Sequence, residues 1–260
     1  MKRLRHTALQ VGDIILTTSM AAVSKAIRVA TRSDISHAMV YVEDRSVIDA
    51  TGEGVQARNT QRLLFEDECS IHVLRLRAGF VDEQLEVVRT YLRSRIGTQY
   101  SAREAIQTAL GGARRWSKKQ FCSRLVAQAF AEAGIMLVNN PNFCSPADIK
   151  DSPLLFAVAD ATIDVSIEEE ALWEGLEDTP QLMRNAINVI LDGARVKDNA
   201  IQTFDDLHHH LAEHPEDDSY VCDLLDKSGY LTLWQAEKGK SPWQYDLGLM
   251  GAAPAGEIED

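Results

Sequence analysis

The spacing of apolar residues changes once along this chain. Up to about residue 160, short apolar runs alternate with amphipathic segments; beyond about residue 165 the period is helical almost throughout. VGDIILTT (11–18), SHAMVYVE (36–43), SVIDA (46–50), IHVLRLR (71–77) and LLFAVAD (154–160) read as strands. Asp44-Arg45 predicts a hairpin between the second and third. GEGVQARNTQRLLF (52–65) reads as a turn leading to the next strand. Helices are predicted over MAAVSKAIRVAT (20–31), FVDEQLEVVRTYLRSRIG (80–97), part of TQYSAREAIQTALGG (98–112) and residues 118–133. The 80–97 segment is acidic at its start, basic at its end and closed by Gly97, the order a helix dipole favours. SPADI (145–149) places Ser then Pro where a helix N-cap and first turn want them.

VSIEEEALWEGL, TPQLMRNAINVILDGARV and NAIQTFDDLHHHLAEH then read as helices. YLTLW (230–234) is expected as a lone strand and GAAPAGEIED (251–260) as a disordered tail. The predicted architecture is α+β: an antiparallel sheet packed with helices over 1–160, followed by an acidic, mainly helical segment over 161–260.

Charge sharpens this division. Residues 1–150 hold 21 Lys+Arg against 15 Asp+Glu, and residues 151–260 hold 6 against 24, giving a basic front and a strongly acidic back. A net charge of -12 argues against nucleic acid and anionic membranes as partners. The acidic segment could instead meet a protein partner or dock on the chain's own basic half, with an affinity that falls with salt. No apolar run approaches the ~18 residues of a membrane span. The basic start MKRLRHTALQVGDIIL has too short and broken an apolar part for a signal peptide. A cytoplasmic location is expected, although export as an effector would leave no mark. The four cysteines are far apart without a C-x-x-C pair, which argues for reduced thiols and against structural zinc.

KKQFCSRLVAQAF (118–130) puts Cys122 at a helix start, behind Lys118 and Lys119 and beyond Arg114 and Arg115. Unpaired first-turn amides and nearby cations favour a thiolate. The bland alternative makes Cys122 one apolar position on a helix face with Leu125, Val126 and Ala129. His37, within the apolar strand SHAMVYV, supplies the base that a Cys-His dyad requires. Asp49, across a hairpin from it, is the first candidate to orient the imidazole, with Glu53 second and Glu43 third.

GDIIL, SHAMVYV, VIDATGEGV, GTQYS, FCSRLVAQAF and SPADI, in this order over residues 10–160, resemble the circularly permuted branch of the NlpC-type papain-like superfamily. This is the group of YiiX/YaeF-like bacterial proteins, which is also similar to lecithin:retinol acyltransferase. The resemblance implies Cys122 as nucleophile, His37 as base, Asp49 as the third polar residue and Tyr100 as a substrate or oxyanion ligand. Ser36, Lys118 and Lys119 are further candidates for substrate binding. Two positions depart from the pattern: Arg124 stands where relatives often carry an acidic residue, and Asp49 where they often have glutamate or histidine.

Rival sites are weaker. His210 and His214 in HHHLAEH share a helix face, as zinc ligands do, but no H-E-x-x-H glutamate accompanies them. GEG (52–54) lacks the third glycine of a phosphate loop, and Ser36 has no G-x-S-x-G elbow. RRWSKK (114–119) is read as a rim for an anionic substrate beside Cys122, or as a docking face for the acidic half. The expected function is a cysteine hydrolase or acyltransferase without metal or organic cofactor. It would act on an amide, ester or thioester in a peptide, a peptidoglycan fragment or a lipid. The non-enzymatic alternative is a binding module in which Cys122 is unreactive.

Overall fold

A computed structural model describes residues 1–18, 28–29, 33–110 and 117–240. The predicted helix at 20–31 (apart from residues 28–29), Gly111-Gly112, Arg114, Arg115, Trp116 and the tail at 251–260 lie outside the described residues. The chain divides into two compact units, Met1–Leu176 and Glu177–Asp260.

In the front unit, six antiparallel strands form one sheet in the order β5-β4-β3-β2-β6-β7. They are β2 (Ile14–Thr17), β3 (His37–Glu43), β4 (Ser46–Thr51), β5 (Gly54–Asn59), β6 (Ile71–Leu76) and β7 (Leu155–Ala157). A separate two-stranded ribbon pairs β1 (Lys2–Leu4) with β8 (Thr162–Asp164). β5 is a correction: GVQARN was read as part of a turn, yet it extends the β4 hairpin, with Thr51 opposite Gly54. Only Val55 and Ala57 face the core, between the polar Gln56 and Arg58, so its apolar stripe is too short to stand out in the sequence. Between β3 and β4 the predicted turn forms with both Asp44 and Arg45 at positive φ (38° and 61°). That backbone matches the strand twist of a two-residue hairpin.

The sheet is covered on both faces. On one side Ala38, Val40, Val42, Ile48 and Ala50 meet helices α1 (Asp82–Ser94) and α3 (Cys122–Glu132). On the other, Ile15, Met39, Tyr41, Val47 and Val73 pack with Leu4, Leu9 and Ala161. Double burial explains why β2, IILT, is buried at every position and does not alternate. Gly12 turns into this strand at φ 90°, where a Cβ would lie 2.4 Å from the Phe80 ring. α1 starts with Asp82 and Glu83 and ends with Arg93. α2 (Ala102–Ala109) is N-capped by Ser101, and α4 (Pro146–Lys150) by Ser145 in a capping box with Asp148.

This unit reaches Leu176 and so includes β8 and α5 (Ile167–Gly175), which the division at residue 160 had placed in the acidic segment. Ion pairing of Arg3 with Glu169 (2.7 Å) and stacking of Arg62 on Trp173 (5.4 Å) hold α5 there.

The second unit contains α6 (Thr179–Ala194), α7 (Phe204–Glu213), α8 (Asp218–Ser228) and α9 (Leu233–Lys240). Ile190, Leu191, Ala194, Ile201, Leu207 and Val221 form its core. The lone strand expected at YLTLW is not present: residues 230–232 form a turn and α9 begins at Leu233. Gly229 ends α8 in the left-handed conformation (φ 74°), and Tyr230 packs on Phe204 at 5.7 Å. With no neighbouring strand among the described residues, the β-rich composition of this stretch has no ladder to join. No helix among the described residues is long and apolar enough to cross a membrane.

Leu125 is fully buried on α3 where that helix meets the sheet. Leu125→Ala is expected to cost about 2–5 kcal/mol. The measurement is a lower urea midpoint at unchanged slope.

Candidate active site

α3 begins at Cys122. Phe121 before it is extended (φ -138°) and offers no side-chain cap, so the first-turn amides keep their donor capacity for whatever lies at the helix start. Cys122 itself is almost fully buried among the residues that α3 presents to the sheet. Its thiol points at the Ser36 carbonyl (3.9 Å), next to His37, whose basicity it raises. Ser36 is tied by its amide to the Thr17 carbonyl (3.0 Å). Just upstream, the Asp34 carboxylate bonds Lys150 and His72 (both 2.9 Å). Burial alone would raise the Asp34 pKa, but these two hydrogen bonds hold it well below the usual carboxylate range.

His37 Nε2 lies 2.9 Å from Asp49 Oδ2, which leaves the other ring nitrogen for Cys122. The register refines the expected geometry. Asp49 is opposite Met39, so His37 and Asp49 are diagonal neighbours on one sheet face and not a directly opposed pair. A diagonal of ~7–8 Å between strand positions is within reach of an imidazole and a carboxylate together. His37 thus joins a thiol from the helix side of the sheet to a carboxylate on the other side.

Arg58 is the residue that sequence reasoning missed. Its Nε donates to both Asp49 oxygens (3.0 and 3.2 Å), and Nη2 reaches Thr51 Oγ1 (2.9 Å) and Glu53 (3.0 Å). The signal was the alternation GVQARN: read as a strand, it puts Arg58 opposite Val47 and therefore on the face that carries Asp49. Of the other candidates to orient His37, Glu53 pairs with Arg58, and Glu43 pairs with Arg89 and Arg93 at the far end of β3.

Burial pulls the His37 pKa down. Hydrogen bonds to Asp49 and Cys122, with the negative charge of both, outweigh it and raise the imidazole to about 10. Burial likewise pushes Asp49 up, but His37 and then Arg58 bring it below its ordinary value. Burial first, and a negative charge at Cys122 second, raise the Tyr100 hydroxyl, which keeps it a protonated donor beside the thiol. Cys144 is also buried in this core and its thiol is pushed up, chiefly by burial, which marks an inert sulfur.

A cavity of about 480 Å³ opens on the His37 and Asp49 side. Met39, Leu63, Leu64 and Phe65 give it an apolar floor, with Arg58, Glu53 and Glu66 at its walls. Neither Lys118 nor Lys119 is among its lining residues, and both are exposed. His210 and His214 stack at 4.7 Å and bond Asp217 and Glu216 respectively. Among the described residues no group of three or more His, Cys, Asp or Glu is placed to hold a metal ion.

The family model for the permuted papain-like amidases, YaeF/YiiX, C92 family, matches residues 8–177. The chain belongs to this family. Family membership accounts for the fold: an antiparallel sheet whose histidine strand precedes the cysteine helix. Among curated proteins, the "Probable lipoprotein peptidase YaeF" of Escherichia coli (strain K12) is 24% identical over 181 residues, 57% of this chain. The chain spans 65% of the length of that relative. A solved structure titled as the metalloprotein yiiX from Escherichia coli O157:H7 aligns with TM-score 0.47 at 24% identity, covering 58% of this chain and 96% of that one.

A histidine raised from 6.5 to about 10 stabilises the fold fully below pH 6.5 and loses that contribution as pH rises through 10. The stability difference between wild type and His37→Gln is therefore expected to shrink between pH 6.5 and 10. Urea unfolding at several pH values measures it, and a difference that stays flat or widens would refute the assignment.

Proposed function

We propose that the front unit is a cysteine-dependent amidase acting on peptide amide bonds, with Cys122 as nucleophile and His37 as acid and base. One observation carries the reading: the His37 imidazole bonds the Asp49 carboxylate at 2.9 Å, while the Cys122 thiol bonds the carbonyl of the adjacent Ser36 and adds to the basicity of the ring. The description of the family as amidases and the peptidase name of the relative support an amide substrate.

In this reading the sulfur attacks the amide carbonyl as an anion, its proton held on His37. Developing charge on the carbonyl oxygen is met by the Cys122 backbone N–H and the Tyr100 hydroxyl. His37 gives its proton to the nitrogen, the C–N bond breaks, and the amine leaves a thioester on Cys122. Water, deprotonated by His37, attacks that thioester and releases the carboxylic acid. Asp49 keeps the ring oriented and favours imidazolium, while Arg58 keeps Asp49 ionised. The cavity beside His37 takes an apolar portion of the substrate against Met39, Leu63 and Phe65. Its carboxylates, Glu53 and Glu66, and a lining without Lys118 and Lys119 give no preference for an anionic substrate.

Cys122→Ala and His37→Ala are each expected to lower kcat/KM by more than about 10³-fold. Incubation with peptide mixtures and with phospholipids, followed by mass spectrometry, identifies the scissile bond. Free fatty acid released by wild type but not by Cys122→Ala would replace the peptide reading with a lipid one. Iodoacetamide at pH 6 should label Cys122 ahead of Cys69, Cys144 and Cys222; slow, uniform labelling would indicate a binding module.

A further inference from the structure

Arg124 has no exposed surface, yet it carries a charge two residues after Cys122. A guanidinium is enclosed only when its donors and its faces are occupied. Here Nε donates to the Asn142 carbonyl and Nη1 to the Lys119 carbonyl, both at 2.8 Å. Nη2 pairs with the Glu104 carboxylate at 2.7 Å. The guanidinium carbon lies 4.3 Å from the Phe121 ring centre and 5.3 Å from that of Phe143. Glu104 in turn accepts from the hydroxyls of Ser101 (3.3 Å) and Ser117.

Apart from Asn142 and Phe143, these partners belong to the two segments that flank the proposed chemistry. Ser117, Lys119 and Phe121 lead into Cys122; Ser101 and Glu104 follow Tyr100 directly. A short backbone ladder joins the same segments, with Ser101 N–H donating to Gln120 (2.8 Å) and Gln120 N–H to Gln99 (2.9 Å). The ladder fixes their spacing at one point. The ion pair fixes it at a second, and two fixed points set an orientation.

We infer that the Arg124–Glu104 pair positions the Tyr100 hydroxyl relative to the Cys122 sulfur and amide. Arg124 and Glu104 are positioning residues that touch no substrate, and the inference rests on Cys122 being the nucleophile. A buried ion pair adds little stability over apolar groups of the same size, but Nε and Nη1, bonded to the Asn142 and Lys119 carbonyls, fix the plane of the guanidinium whose Nη2 meets Glu104 by charge without hydrogen-bond alignment.

Two reactions at the same sulfur separate this role from simple structural support. Attack on p-nitrophenyl acetate forms an acetyl thioester and releases p-nitrophenolate through a tetrahedral oxyanion. Alkylation by iodoacetamide displaces iodide and forms no oxyanion. Arg124→Met combined with Glu104→Gln removes both charges and strands neither. This variant should keep the near-ultraviolet circular dichroism of the folded protein and the wild-type pH profile of Cys122 alkylation. Its kcat for p-nitrophenyl acetate should fall by about 10–100-fold with KM within about threefold, the scale expected of a displacement near 1 Å. Arg124→Lys keeps a charge but cannot serve the Lys119 and Asn142 carbonyls and Glu104 together, so the same kcat loss is expected. Should the double variant not fold, Arg124→Lys carries the test alone. A wild-type kcat in a folded variant, or a parallel loss of alkylation and acylation, overturns the inference. Turnover retained in Cys122→Ala would instead overturn the underlying assignment of the nucleophile.

Discussion

The site depends on an imidazole held between a carboxylate and a thiol that reach it from opposite sides of one sheet. His37 is the first residue of β3, so its ring stands where the strand ends and the helix side becomes accessible. Asp49 reaches the ring only because β4 is paired so that residue 49 faces residue 39. A register slip of one residue would turn Asp49 to the helix side and place a core aliphatic beside His37. The apolar cover on both faces of the sheet blocks such a slip, since every side chain of β3 and β4 would then meet the wrong core.

Arginine–carboxylate pairs recur where segments must be held at fixed distance. Arg58 binds Asp49, Arg124 binds Glu104, Arg75 binds Asp13, and Arg89 and Arg93 bind Glu43. In the first three cases the carboxylate is buried or nearly so, and the planar guanidinium engages more than one acceptor. Such pairs are poor sources of stability but good sources of geometry. Around the proposed nucleophile they divide the work: Arg58 bears on the charge of the histidine's partner, and Arg124 on the frame that holds sulfur and phenol.

Much of the front unit was legible because its signals are local. α3 could be read from its Ala-rich run, although it starts at Cys122 and not at 118 as expected, since Phe121 is extended. The turn at Asp44-Arg45 could be read from the two apolar runs it joins. β5 was not legible, because its apolar stripe is only Val55 and Ala57, set between Gln56 and Arg58 and too short to announce a strand. Arg58 was lost with it. YLTLW had strand composition, but composition acts only when a neighbour presents a free edge.

The sequence by itself determined the chemistry available: a thiol at a helix start, histidines on strands, carboxylates within a hairpin of His37, and a change from mixed to helical periodicity near residue 165. Those are properties of residue type and short-range spacing. Only the tertiary structure decided which carboxylate meets His37, that Arg58 completes that carboxylate's surroundings, and that the unexpected arginine at 124 is enclosed beside the sulfur. Such choices follow from strand register and from helices meeting across a sheet, where side chains distant in sequence compete for one partner and packing selects among them.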